Sequence, residues 1–243
     1  MIVLAIDTCD VRGSVTILED AAVLHTGIHE GVEEYSSWLL PAVDRALLAA
    51  GKTLRDVDFY AVSTGPGSFT GVRIGLTTVK GWAEVFGKLI AAVSRLEVLA
   101  GEASRRGGMQ DARYVVSFVA SQRDQLFGAI YKRAEGDLLL QGEETAAEPE
   151  EFLSRVDELA GRRRVQWVST DPTLLARSPA WFERAGRGEE IVTVACVLAP
   201  MIGRLGSRKA AEGNVVNALE LDANYVRRPY VEVNWKGSSG LGT

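Results

Sequence analysis

Gly65-Pro66-Gly67-Ser68-Phe69-Thr70-Gly71-Val72-Arg73-Ile74-Gly75 sets four glycines and a proline between an apolar run and an amphipathic one. Before it, Phe59-Tyr60-Ala61-Val62-Ser63 is aromatic and β-branched and bounded by turn formers, which predicts a strand. After it, Val72, Gly75, Val79, Trp82 and Phe86 recur every three or four residues, so a helix is predicted that Gly87 can end.

This strand, glycine turn and helix admit two readings. Exposed backbone N–H groups at a helix start favour an anion, which makes Gly65, Gly67 and Ser68 candidate phosphate-binding residues. The run has neither the GxxxxGK[ST] spacing nor GxGxxG, however. On the other reading, Gly71, Gly75 and Gly81 strip bulk from the helix so that it can press against another surface. Spacing alone leaves both open.

Working outward, Ile2-Val3-Leu4-Ala5-Ile6 predicts a buried strand, and Asp7 to Gly13 a turn with an acidic, hydroxylic tip. Ser14 to Leu18 and Ala21 to Ile28 complete a meander. His25 and His29, the only histidines, are four apart. On a strand they would stand roughly 13 Å apart, too far for one metal ion, and solvated strand-end positions are expected. Glu33 to Ala50 has a helical stripe of Leu39, Val43, Leu47 and Ala50, with Pro41 predicting a kink or a second start. Leu89 to Val93 predicts another buried strand, and Ser94-Arg95-Leu96-Glu97 has capping-box spacing.

Arg106-Gly107-Gly108 is the expected domain boundary. Beyond it, Tyr114 to Val119, Leu126 to Tyr131 and Leu138 to Leu140 predict strands, Pro149 opens a helix, and Gln166 to Ser169 is a short strand. Val192 to Leu205 reads as an apolar helix interrupted at Pro200. Residues 1–106 and 107–233 are thus expected to form two lobes, with 234–243 a flexible tail.

Composition narrows the function. A chain of 243 residues, 47% hydrophobic and 24% charged, has the make-up of a soluble globular protein. Met1 to Asp7 lacks the basic start of a signal peptide, and no run is long enough to span a membrane, so the cytoplasm is expected. Cys9 and Cys196 make no metal-spaced pair and read as buried thiols. With a net charge of −5, the chain alone is expected to bind RNA poorly.

The opening Leu4-Ala5-Ile6-Asp7-Thr8, Leu39-Leu40-Pro41, the eleven-residue glycine run, Lys80-Gly81 and Val93-Ser94-Arg95-Leu96-Glu97 together resemble the bacterial TsaB (YeaZ) family. Looser matches follow at Arg123 to Phe127 and Tyr225-Val226-Arg227. The resemblance implies an α/β, actin-like (ribonuclease-H-like, ASKHA) fold of two lobes. It also implies a scaffold and dimerisation subunit that works with a TsaD-like catalytic paralogue and a TsaE-like ATPase. Together these would place a threonylcarbamoyl group on the tRNA adenosine beside the anticodon, and this chain would meet tRNA only through the complex.

TsaD-like proteins carry H-x-E-G-H after the equivalent strand, and aligned on Glu97 those histidine positions hold Arg95 and Leu99, which cannot ligate a metal. No resident cofactor or catalytic residue is therefore expected, and ATP or ADP at an inter-subunit junction is left open. The partner or homodimer face is expected at Trp38, Leu39, Val43 and Leu47 together with Ile74, Thr78, Trp82 and Val85. The alternative is a nucleotide-binding enzyme acting alone through Asp7 and the glycine turn. A metalloprotease would need the missing histidines. The family pattern is left at Tyr35, Ser121 and Ala223, where His, Asp and Pro are usual.

Overall fold

The computed structural model describes residues 1–106, 111–121, 124–134, 136–161 and 163–226. The expected boundary at Gly107-Gly108, Arg123 and Arg227 of the looser family matches, and the tail expected at 234–243 lie outside them.

The first sheet is built from β1 (Ile2–Asp7), β2 (Ser14–Glu19), β3 (Ala22–Ile28), β4 (Phe59–Ser63) and β5 (Leu89–Val93) in the order β3-β2-β1-β4-β5. Short turns make β1, β2 and β3 antiparallel, whereas β4 and β5 run parallel to β1 because helices α1 (Tyr35–Ala49) and α2 (Phe69–Phe86) carry the chain back between them. Helix α3 (Arg95–Arg105) then leads to the second sheet.

That sheet repeats the plan. Strands β6 (Tyr114–Ala120), β7 (Leu126–Ala134) and β8 (Asp137–Leu140) form a meander, and β9 (Thr145–Ala147) pairs with β7. After α4 (Pro149–Ala160), β10 (Val165–Ser169) lies parallel to β6; after α5 (Thr173–Ala176) and α6 (Pro179–Ala185), β11 (Ile191–Thr193) lies parallel to β10. The α/β expectation of two mixed sheets flanked by helices holds.

Burial follows the two-residue period of a strand. Leu4 and Ile6 face α1 and α2 on the outer side of the first sheet, while Val3 and Ala5 face inward with Leu96 and Leu99 of α3. Because β1 is covered on both sides it reads as an unbroken apolar run. The second sheet's outer face packs Phe118, Ile130 and Trp167 on Phe152 and Val156 of α4 and Trp181 of α6.

The last helix, α7 (Ala199–Ala211), returns to the first sheet. A Cβ on Gly203 would collide with Leu18, and one on Gly206 with Ala61, so the helix lies directly on β2 and β4. Helices α3 and α7 thus share one core with inner residues of both sheets. The single helix expected over Val192–Leu205 is corrected here: Val192 belongs to β11, and Pro200 lies in the first turn of α7, where its missing N–H is tolerated. Short elements β9, α5 and α6 carry too few periods to be read from sequence. Pro41 breaks nothing, for α1 runs on through it with the proline on the exposed face. The capping box at Ser94 is half formed: Ser94 Oγ accepts from the Leu96 N–H at 3.2 Å, but Glu97 turns away to Lys209 at 3.1 Å.

Candidate functional site

The glycine turn connects β4 to α2 and lies on the β1–β2 turn. Gly65 has φ +101°, a left-handed conformation suited to glycine. A Cβ on Gly67 would run into the Cys9 carbonyl, one on Gly71 into the Thr8 carbonyl, and one on Gly75 into Thr8 Oγ1. These contacts are fixed by hydrogen bonds: the Ser68 N–H donates to Cys9 O at 2.7 Å, and Thr8 Oγ1 donates to Gly71 O at 2.7 Å. Close packing therefore explains Gly71 and Gly75. Gly81 does not belong with them, since a Cβ there would meet nothing within 4 Å.

Beside this turn a cleft of about 680 Å³ opens between the strand ends of the two sheets. Ser68 and Gly67 line it, with Asp10 from the β1–β2 turn, Thr170 and Asp171 after β10, and Arg95 from α3. Two N–H groups that an anion would need are already used, Ser68 by Cys9 and Gly71 by Ser68 Oγ at 3.2 Å.

Arg95 is only 3% exposed and forms an ion pair with Asp10, and its Nη2 reaches Thr170 Oγ1 at 3.4 Å. Asp7 is wholly buried and accepts the Cys9 N–H at 3.0 Å. Burial pushes its carboxyl above the usual range, and the nearby Arg95 guanidinium only partly opposes that. Leu99, at the second of the family's metal positions, is fully buried in the shared core. Among the described residues no group of three His, Cys, Asp or Glu side chains is placed to hold a metal ion.

Ser94 ties the same corner from the other side. Its hydroxyl hydrogen-bonds Glu144, which also accepts from Asn224 Nδ2 at 2.6 Å, and the Asn224 N–H donates to Thr64 O at 2.8 Å. Burial raises the Glu144 carboxyl, while those hydrogen bonds lower it. The adjacent residues Ser94 and Arg95 thereby join both sheets and the C-terminal segment. Sequence reading missed Glu144 and Asn224, which stand in no motif; Asp10 was visible only as part of an acidic turn.

His29 corrects the expectation of a solvated histidine. It is buried, with Nδ1 2.9 Å from Val11 O and Nε2 2.8 Å from Glu33 O, and its ring stacks on Tyr35. Tyr35, a departure from the family pattern, in turn donates to Asp10 O at 2.6 Å. Cys9 is buried as expected, whereas Cys196 is only partly so.

A second feature is an open apolar groove of about 520 Å³ between α1 and α2, lined by Leu40, Phe69, Ile74 and Thr78. Leu40 is 51% exposed and Phe69 53%. The expected partner face is corrected on α1: Trp38, Val43 and Leu47 lie in this chain's own core, and Leu39 reaches only the groove floor. The sequence stripe picked the side facing the sheet, and Leu40 lies one position round. On α2, Ile74, Thr78 and Trp82 are half-buried and Val85 is exposed. Arg73 lies over the Phe69 ring at 3.7 Å and donates through Nε to Tyr225 OH at 3.1 Å, so the C-terminal segment is pinned between groove and cleft.

A family model described as TsaD: tRNA N6-adenosine threonylcarbamoyltransferase matches residues 26–170. The Escherichia coli (strain K12) tRNA threonylcarbamoyladenosine biosynthesis protein TsaB is 30% identical over 245 residues, 99% of each chain. The chain belongs to the TsaB family. YeaZ from Pseudomonas aeruginosa has the same fold, with a TM-score of 0.73 at 26% identity over 92% of this chain and 99% of that one. A tRNA N6-adenosine threonylcarbamoyltransferase of Rhizobium meliloti is 33% identical over 117 residues, 40% of this chain and 32% of that protein. The TsaB-family chain thus shares part of its length with an enzyme, yet carries Arg95 and Leu99 where the resemblance places metal-binding histidines.

Proposed function

We propose that this chain is a non-catalytic docking subunit of the assembly that adds a threonylcarbamoyl group to tRNA adenosine. Its partner would be a TsaD-like transferase, with a TsaE-like ATPase completing the assembly. The observation that carries the reading is the α1–α2 groove: two helices firmly seated on the first sheet leave Leu40, Phe69, Ile74 and Val85 facing outward, a surface suited to the matching helices of a paralogue. Engagement of Arg95 by Asp10 supports the absence of metal chemistry, because a guanidinium has no lone pair to give. In the partner's absence a second copy would cover the groove in C2 fashion.

The test is reconstitution from tRNA, threonine, bicarbonate, ATP and the companion proteins. Omitting this chain is expected to abolish modification, and Leu40→Asp with Val85→Asp, both at exposed positions, to prevent co-purification with the transferase while leaving the melting curve in place. Full-rate modification without the chain would sink the proposal. The cleft of about 680 Å³ favours a second reading, a nucleotide-dependent enzyme acting alone. Magnesium–ATP titrated into the isolated chain separates the two, for tight binding with turnover supports the enzyme.

A further inference from the structure

The end of the second sheet remote from the cleft is basic, although the chain carries a net charge of −5. Arg113 and Arg164 immediately precede neighbouring parallel strands, since Tyr114 pairs with Val165, and the Arg133 N–H donates to Arg113 O at 2.9 Å on the other flank. Tyr114 and Val165 point into the core under α4, so by strand alternation Arg113 and Arg164 face the α3 side. Arg133 faces that side too, but its guanidinium is engaged within the fold, Nη1 donating to Ser104 Oγ at 2.9 Å and Nη2 to Gln166 Oε1. There α3 ends in the exposed Arg105 and Arg106, and Gln166 Nε2 fixes the helix end to β10 by donating to Ala103 O at 3.3 Å. Arg163 extends the surface toward α4 through Ala160 O at 3.4 Å. Among the described residues of this surface, the carboxylates that answer these guanidiniums are Glu102, bound to Arg105 and Arg106, and Asp111, bound to Arg164.

We propose that this end of the second sheet is a docking surface for the phosphate backbone of RNA. Arg113 and Arg164 stand on neighbouring strand ends about 5 Å apart, with the exposed Arg105 and Arg106 and Arg163 beside them, and the planar fork of an arginine suits phosphate oxygens. The cations come from separate elements, so a packed scaffold presents them together. Among the described residues the surface offers no aromatic platform for stacking bases; it positions a backbone and reads no sequence. The proposal rests on the reading of the chain as part of a tRNA-modifying assembly. It makes the chain a second point of contact with tRNA, in place of the poor RNA binding expected from net charge.

The experiment is fluorescence anisotropy with a labelled tRNA transcript over a range of salt concentrations. It compares the unaltered chain, Arg113→Gln with Arg164→Gln, and a control that removes equal charge elsewhere, Arg55→Gln with Arg187→Gln. The unaltered chain should bind weakly, with affinity falling steeply as salt rises. The patch variant should flatten the plot of log K against log salt by about 0.7 to 0.9 per residue removed, and the control should not. Arg106→Gln with Arg163→Gln is the second patch variant, and unchanged melting curves secure the fold of each.

An unchanged slope in both patch variants, no salt-dependent binding by the unaltered chain, or capture of anionic phosphatidylglycerol vesicles without capture of tRNA overturns the proposal. The proposed function fails separately. Modification that proceeds without the chain defeats the assembly reading, while the anisotropy still decides the surface.

Discussion

A single methyl group separates the two uses of glycine along α2. Gly71→Ala drives a Cβ into the Thr8 carbonyl and should cost roughly 2 to 3 kcal/mol in urea unfolding, because a backbone cannot rotate aside as a side chain can. Gly81→Ala, in open space on the same helix, should gain about 0.5 to 1 kcal/mol from helix propensity. Asp7 gives a pH signature. Its folded pKa lies above 3.8, so the unfolded chain releases that proton first, and stability falls as pH climbs from 3.8 toward the folded value. Asp7→Asn keeps an acceptor for the Cys9 N–H and should flatten that fall in urea midpoints measured across pH; Glu144, raised by its own burial, supplies a remainder. At this scale the sequence was legible where a residue's backbone demands show in its type, as at Gly65 and Gly87. It was illegible at His29, because a polar ring buried between two carbonyls looks no different in sequence from one in water.

Helices were read well wherever apolar periodicity ran for several turns, as in α1 and α2, and α4 was announced by its opening proline. Periodicity locates the face an element turns to its own core, and for that reason the α1 stripe marked core residues rather than an outer surface. The difference is testable: Val43→Asp should unfold the chain, since it puts a charge into a fully buried position, whereas Leu40→Asp should leave the melting temperature nearly unchanged and remove partner binding. Circular dichroism melts and co-purification of both variants check this. At β11 and α7 an apolar run hid a strand, a loop and a helix, because a proline in a first turn and a proline inside a helix look alike until the turn is located.

Across the whole molecule, the halves expected from sequence, 1–106 and 107–233, each contain one sheet, but α7 from the second half covers the inner face of the first. No local pattern announces that return. A fragment of residues 1–106 would leave Val3, Leu18, Phe59, Ala61 and Val93 uncovered, and it should lack a cooperative melt and near-ultraviolet dichroism until a peptide of residues 194–226 is added.

Ser94 and Arg95 stand side by side at the start of α3, one gripping Glu144 and the other Asp10 and Thr170. Prising the cleft open at that point would strip a buried guanidinium of its carboxylate, a costly step. The two sheets are therefore expected to answer a push as one body rather than two.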